Sequence, residues 1–189
     1  TSRSLEVTGI QRVTIEGGQV RMHVNLEVES RGTPFRDFRV TLPVNTRLVV
    51  DEDVDRVYKL VPVTSDAPKN SGPQKIDIVL DESTVGPISV QLETVMPFQL
   101  QRARVVDLTG VIVNEAVRHS GHIGVLMGVG GDYKVRWVES SYRDRFDIKR
   151  VDNLPDPWQS ERLEGAFQYF SQSYKLKAEI SPPTTRIVV

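Results

Sequence analysis

The 189-residue chain carries 24 basic and 25 acidic side chains, which gives a formal net charge of −1 at pH 7. Because 11 basic and 14 acidic residues precede Pro97, and 13 basic and 11 acidic residues follow it, neither half is the polycation expected of a nucleic-acid binder. The absence of cysteine excludes disulfides and thiolate chemistry, and no apolar run is long enough to predict a membrane span.

Two strands joined by a glycine turn are predicted near the start of the chain. Apolar and polar residues alternate on both sides of EGGQ, residues 16–19. A two-residue period is typical of half-buried strands, and adjacent glycines between two such runs are typical of a hairpin turn. The alternation returns in residues 38–42 and 56–63, so we expect further strands there.

A second hairpin is predicted from KIDIVL (75–80) and PISVQLETV (87–95), which flank the turn sequence DESTVG. Strand-like runs recur at intervals of about ten residues, as in β-sandwiches and barrels. The sequence therefore predicts an all-β fold, an antiparallel two-sheet β-sandwich that is either one large sandwich or two immunoglobulin-like halves. We expect residues 1–189 to form one sandwich unit cut from a longer chain, with the best internal seam near residue 97.

The stretch GHIGVLMGVGGDYKVRW, residues 121–137, carries five glycines. A phosphate-binding loop needs Lys and Ser or Thr after its last glycine, at the start of a helix. Here Gly131 is followed by Asp132 and Tyr133 and then by an alternating run. We therefore expect GVLM to be a strand, VGGD to be a hairpin turn and YKVRW to be the return strand.

One short helix is predicted near residues 157–164. Asp156 is a suitable N-cap, Pro157 suits the first helical position and Gln159 suits the third. Gly165 is expected to end the helix. With about two turns, this helix is expected to connect two strands.

The segment DEDVD, residues 51–55, places Asp51, Asp53 and Asp55 at alternate positions, as at the start of an EF-hand loop. The glycine required at the sixth position is Arg56, and the glutamate required at the twelfth is Pro62. The segment is therefore no EF-hand. A looser calcium site formed by the three aspartates stays open beside the alternative of a solvated acidic turn.

Two of the three histidines, His119 and His122, form an HxxH pattern around Ser120. On a strand, residues three apart point to opposite faces, so both rings cannot bind one ion unless the chain bends. His23 could be a third ligand only if the fold brings it close. We expect turn and surface histidines, we assign no catalytic residue and no cofactor, and a metal-dependent hydrolase is the least favoured alternative.

Aromatic residues concentrate in the second half of the chain, where exposed rings would suit a carbohydrate-binding module. Tyr133 and Trp137 share a face with Val135, which favours core packing instead. Trp158, beside Pro157, is the ring expected to be most exposed and is the candidate ligand-binding residue. The rings considered for such a sugar-binding platform are Tyr133, Trp137, Tyr142, Trp158, Tyr169, Phe170 and Tyr174.

In the last seventy residues, an aromatic-rich pattern follows a G-x-I-x-V hairpin. The positions of this pattern are Ala166, Phe167, Tyr169, Tyr174, Leu176, Pro182 and Val188. With this pattern, the last seventy residues resemble β-rich segments of very large bacterial envelope-type proteins of the planctomycete kind. The resemblance implies an all-β, extracytoplasmic module and carries over no catalytic or binding residue.

These observations favour a non-catalytic β-sandwich module of a larger surface or envelope protein, acting in spacing or protein contact. A carbohydrate-binding module is the main alternative. The expected partners are other domains of the parent protein, and then another protein or a glycan, whereas nucleic acid is not expected.

Overall fold

The computed structural model of the chain describes residues 4–51, 55–64, 72–155 and 162–183. The regular structure of these ranges is almost entirely β, with one 3₁₀ turn at Glu139–Ser141. No helix in the described ranges has the length and apolar content to cross a membrane. The strands are β1 (Leu5–Glu16), β2 (Gly18–Ser30), β3 (Phe35–Thr41), β4 (Arg47–Leu48), β5 (Tyr58–Pro62), β6 (Lys75–Thr84), β7 (Ile88–Phe98), β8 (Arg104–Asp107), β9 (Ile112–Val113), β10 (Ala116–Met127), β11 (Lys134–Trp137), β12 (Ile148–Val151), β13 (Leu163–Tyr169) and β14 (Lys177–Ser181).

The strands form three sheets, and the all-β prediction is confirmed. The largest sheet has seven strands in the order β12-β13-β10-β1-β2-β7-β4. A four-stranded sheet has the order β5-β6-β3-β9, and a three-stranded sheet has the order β11-β14-β8. Among the pairs formed by these strands, β1 and β10 run parallel and the others run antiparallel.

The first predicted hairpin is confirmed. Strands β1 and β2 pair without interruption from Leu5 opposite Ser30 to Glu16 opposite Gln19. At the turn between them, Gly18 has φ of +88°, a left-handed conformation that costs glycine little because it has no Cβ. The turn thus fixes a register in which the apolar residues of both strands face the same side.

The second predicted hairpin is wrong, because its two strands belong to different sheets. Strand β6 pairs with β3 and β5, whereas β7 pairs with β2 over eleven residues and with β4. Alternation tells which way a side chain faces, but it does not tell which strand accepts the backbone hydrogen bonds. One edge of β7 is occupied by the long, unbroken pairing with β2, and β6 does not pair with the other edge.

The glycine stretch forms the predicted turn but not the predicted hairpin. After β10, the Gly131 N–H donates to the Gly128 carbonyl at 3.2 Å, and the Gly17 N–H donates to the Val129 carbonyl at 3.2 Å. The chain then leaves the seven-stranded sheet, and β11 pairs with β14. Both edges of β10 are occupied, by β1 and by β13, so YKVRW cannot return beside it.

The predicted helix near 157–164 is wrong at its C-terminal end, and residues 156–161 lie outside the described ranges. Leu163 and Glu164 belong to strand β13. Gly165 admits an aromatic ring instead of ending a helix: a Cβ added there would lie 2.6 Å from Cζ2 of Trp137. The Trp137 Nε1–H also donates to the Glu164 carbonyl at 3.2 Å.

One hydrophobic cluster joins the inward-facing residues of all three sheets, so the two smaller sheets cover one face of the largest. Trp137 meets Phe167 edge to face at 4.7 Å between ring centroids, and Tyr133 meets Phe98 at 5.5 Å. The seam near residue 97 falls inside β7, where Pro97 pairs with Gln19. The seven-stranded sheet therefore combines strands from both sides of that seam.

Candidate functional site

Of the residues that the sequence predicts to bind calcium or another ligand, the structure describes only Asp51 and Asp55. Asp51 and Asp55 are exposed beside strands β4 and β5, and Asp53 lies outside the described ranges. Trp158 also lies outside them, so the proposed ligand-binding role of this ring stays a prediction. Within the described ranges, no three His, Cys, Asp or Glu side chains converge in a way that could hold a metal ion.

The three histidines are held apart by the sheet. His119 is 3% exposed and faces the core, whereas His122 lies on the opposite face of the same strand. The prediction that the two HxxH rings point to opposite faces is thereby confirmed, whereas the expectation of turn and surface histidines is wrong for His119, which lies within β10 and is buried. His23 lies two strands away on β2, where its Nε2 is 4.0 Å from Glu93 Oε1.

A polar network that the sequence analysis did not identify lies inside the sandwich around His119. The Tyr169 hydroxyl is 3.0 Å from His119 Nε2, and Gln11 Nε2 donates to the same hydroxyl oxygen at 3.2 Å. On the other side of the ring, His119 Nδ1 is 2.8 Å from Gln172 Oε1. The network therefore links β1, β10, β13 and the turn that follows β13.

Backbone contacts fix the direction of each bond in this network. The Val113 N–H donates to Gln172 Oε1 at 2.9 Å, and Gln172 Nε2 donates to the Val113 carbonyl at 3.1 Å. With the amide so oriented, Gln172 Oε1 can only accept from His119, which places the proton on Nδ1. Nε2 is then an acceptor, and the Tyr169 hydroxyl donates to it.

The segment before β9 closes the network. The Val111 N–H donates to Gln11 Oε1 at 3.0 Å, and the Gly110 N–H donates to the Tyr174 hydroxyl at 2.9 Å. Tyr174 stacks on Tyr169 with 4.9 Å between ring centroids. Two backbone donors that would otherwise be buried without partners are thus satisfied by side chains from distant parts of the chain.

Burial keeps the titratable members of the network neutral. Loss of water around the ring lowers the pKa of His119, and the hydrogen bond to Gln172 opposes that change only in part. The same loss of water raises the pKa values of Tyr169 and Tyr174. The network therefore holds uncharged groups in fixed bonds and offers no free proton acceptor to a substrate.

Gln11 is the sequence feature from which a buried polar network could have been predicted. It occupies an inward position of β1 between Gly9 and Val13, where alternation calls for an apolar residue, and it is fully buried. The neighbouring Gly9 makes room for the network, because a Cβ there would lie 2.5 Å from the Tyr169 hydroxyl oxygen. A polar residue at an apolar position indicates a buried partner, but only the fold identifies it.

The aromatic residues beyond this network mostly pack inward. Trp137 and Tyr142 both meet Phe167 edge to face, which supports the core-packing interpretation made from the sequence. Phe146, which is fully exposed, and Phe170, at 46% exposed, are the exceptions, and the Lys149 ammonium lies 5.7 Å from the ring centroid of Phe170. Its ring lies on the face of the seven-stranded sheet that is turned away from the core, which we call the outer face.

A shallow cavity of about 380 Å³ crosses this outer face near Phe170, and we call it the outer trough. Its floor includes the short side chains of Thr8 and Ser120, which pair across β1 and β10. It crosses from β13 over β10, β1 and β2 to the start of β7. The residues that line it are Glu6, Val7, Thr8, Glu27, Glu29, Pro87, Arg118, Ser120 and Phe170.

The charges of the outer trough are separated across its width. Glu27 and Glu29 project from β2, whereas Arg118 projects from β10 on the other side of β1. All three side chains are exposed, and none makes an ion pair or hydrogen bond with another described residue. Glu6 in the middle pairs with Arg31, whose Nε lies 3.1 Å from Glu6 Oε2.

No family model matches this chain, and no curated protein matches it either.

Proposed function

We propose that the chain is a non-catalytic β-sandwich module of a larger surface or envelope protein, where it serves as a spacer or a protein-contact surface. The observation that carries this proposal is the closed bonding of His119 and Tyr169. A general base or nucleophile must present a reactive atom to a substrate. Here both ring nitrogens of His119 and the Tyr169 hydroxyl are occupied by partners within the buried core.

The outer face supports the contact part of the proposal. It belongs to the largest sheet, and its trough carries exposed charges that have no partner in the described part of the chain. Exposed polar groups of both signs around small residues suit a hydrated, specific contact with another protein surface. The resemblance to envelope-type proteins supports placing the parent outside the cytoplasm, with its other domains as the nearest partners.

Two variants of the full-length parent protein test this function. Thr8→Arg places a long cation on the floor of the outer trough without touching the core, and we expect it to disrupt the parent's assembly while the fold persists. His119→Gln removes the imidazole but keeps an acceptor for Tyr169 and a donor for Gln172, so we expect assembly to persist in the molecules that remain folded.

Assembly is measured by size-exclusion chromatography of parent complexes extracted from the cell, and folding by circular dichroism. Lys59→Glu, on the exposed side of β5, is the matched surface control. Loss of the parent's function in a folded His119→Gln protein, together with normal function in Thr8→Arg, would overturn the proposal, because that pattern assigns the activity to the ring.

A further inference from the structure

We infer that the outer face is a self-complementary surface that binds a second copy of this chain about a two-fold axis running along β1. The inference deepens the proposed contact function by naming the partner, and it rests on that function. The observation behind it is the placement of opposite charges on the two strands that flank β1, each at the same level along the sheet.

The register of β1 with its two neighbouring strands determines where these charges lie. Glu6 of β1 lies opposite Arg118 of β10 on one side and opposite Glu29 of β2 on the other. Arg118 and Glu29 are therefore each one strand spacing, about 4.8 Å, from β1 along the direction of the backbone hydrogen bonds. A rotation of 180° about β1 that turns the two outer faces toward each other exchanges β10 with β2.

That exchange brings Arg118 of one copy opposite Glu29 of the other, and by symmetry it does so twice. Two residues further along β1, the arrangement is repeated, because Thr8 lies opposite both Ser120 and Glu27. The Ser120 hydroxyl of one copy then faces the Glu27 carboxylate of the other and can donate to it. The same side chains that lack partners within the described chain thus find them in a second copy.

The centre of the contact is compatible with this arrangement. On the axis, Glu6 of one copy meets Glu6 of the other, and two bare carboxylates would repel each other. Each Glu6 already carries Arg31 at 3.1 Å, so the central charges are compensated before contact. The floor residue Thr8 is small, which lets the two faces approach.

The open part of the face sets the size of the contact. The six strands from β12 to β7 are spaced about 4.8 Å apart and so span roughly 24 Å, and the 12-residue β1 extends about 40 Å, which gives on the order of 1,000 Å² for the whole face. Leu154 covers Gly124 of β10 on this face, and Leu126 beside it is buried. The contact is therefore confined to the end of the sheet around the outer trough, roughly 500 Å² per copy, which is near the lower limit for a specific interface. A contact with charged groups near its centre is expected to weaken with salt.

Sedimentation equilibrium of the purified chain tests the inference. We expect a dimer at low ionic strength that weakens at about 1 M salt, where the screening length falls to about 3 Å. Arg118→Glu and Glu29→Arg alone should each weaken dimerisation at least about tenfold, because each places like charges together twice. Combining both changes in one chain should restore the dimer, and mixing the two single variants should give heterodimers.

Lys59→Glu and Glu82→Arg reverse exposed charges on the four-stranded sheet and should leave the dimer unchanged. A chain that stays monomeric at roughly millimolar concentration and low salt overturns the inference. So does a dimer that neither reversal weakens, or one that the double variant fails to restore.

These failures are distinguishable from failure of the proposed function. If the isolated chain is monomeric but Thr8→Arg still disrupts assembly of the parent, the partner is a different protein and the contact function stands. If Thr8→Arg leaves the parent unaffected as well, the contact function fails together with the dimer.

Discussion

The Tyr169 hydroxyl donates to Nε2 of His119 across 3.0 Å in the interior of the sandwich, and the two rings meet edge to face at 5.2 Å between centroids. The residues lie on neighbouring strands of the seven-stranded sheet, fifty positions apart in sequence. Each depends on the other for a hydrogen bond that water cannot supply at this depth. Their interaction makes the interior polar at one defined point.

Tyr169→Phe should lower the free energy of unfolding by about 1–3 kcal/mol, because it leaves Gln11 Nε2 and His119 Nε2 buried without a partner. Urea unfolding followed by circular dichroism measures the change. Tyr133→Phe is the matched control, since the Tyr133 hydroxyl makes no hydrogen bond among the described residues, and it should cost less than about 0.5 kcal/mol. Equal costs for the two variants would contradict a bonding role for Tyr169.

Stability should fall as the pH is lowered from about 6.5, the ordinary histidine pKa that we take for the unfolded chain. Burial lowers the pKa of His119 in the folded state, so below that pH the unfolded chain binds a proton that the folded chain refuses. Protonation therefore favours unfolding, by up to about 1.4 kcal/mol per pH unit, until the pH reaches the folded-state pKa. Partial burial and Lys149 lower the pKa of His122 as well, with the same sign.

The contribution of His119 is isolated by comparing urea midpoints from pH 7.5 to pH 5 in the wild type and in His119→Gln. The variant should retain only the smaller pH dependence that His122 supplies. His122→Gln is the converse control and should retain most of the wild-type dependence. Identical slopes in wild type and His119→Gln would show that the buried ring does not titrate in this range.

Gly165→Ala should destabilise the fold by about 1–3 kcal/mol, because the new methyl group would overlap the Trp137 ring. The cost should shrink in a Trp137→Leu background, where the ring is absent. A double-mutant cycle measured by urea unfolding gives the coupling between the two positions. Additive costs would mean that the methyl group meets a different obstacle.

Tyr58→Phe should promote self-association through the edge of β7. The Gln91 N–H donates to the Tyr58 hydroxyl at 2.9 Å, and that hydroxyl faces the Gln91 carbonyl at 3.4 Å, so one side chain occupies both backbone groups of an edge residue. Removal of the hydroxyl leaves these groups open to a strand from another chain.

Sedimentation velocity detects the association of Tyr58→Phe, which backbone pairing should make insensitive to salt, unlike a dimer formed by Arg118 and Glu29. The Tyr133→Phe control should behave as the wild type does. Unchanged association of Tyr58→Phe in both salt conditions would show that the β7 edge is protected by something other than this hydroxyl.

The direction in which side chains face was readable from the sequence. In β2 the strict alternation predicted which residues enter the core, as it did in β1 apart from Gly9 and Gln11, and the glycine turn between the two strands predicted their pairing. Both are local properties: a strand turns successive side chains to opposite faces, and a tight turn leaves its two strands no other register. The all-β class followed from the same period repeated along the chain.

The choice of strand partner was decided only in three dimensions. Strands β6 and β7, and likewise β10 and β11, are neighbours in sequence but pair in different sheets. Every strand has two hydrogen-bonding edges of the same chemistry, so the pairing depends on which distant strand offers the longest register and a shared core.

The contact among Gln11, His119 and Tyr169 was likewise decided only by the tertiary structure. The three side chains lie in different segments, each separated from the next by at least fifty positions, and no local rule connects them. The parallel pairing of β1 with β10 and the antiparallel pairing of β10 with β13 bring them within hydrogen-bond distance. Local sequence determined which way these groups point, whereas the packing of distant strands determined what they meet, because only burial makes their mutual bonds preferable to water.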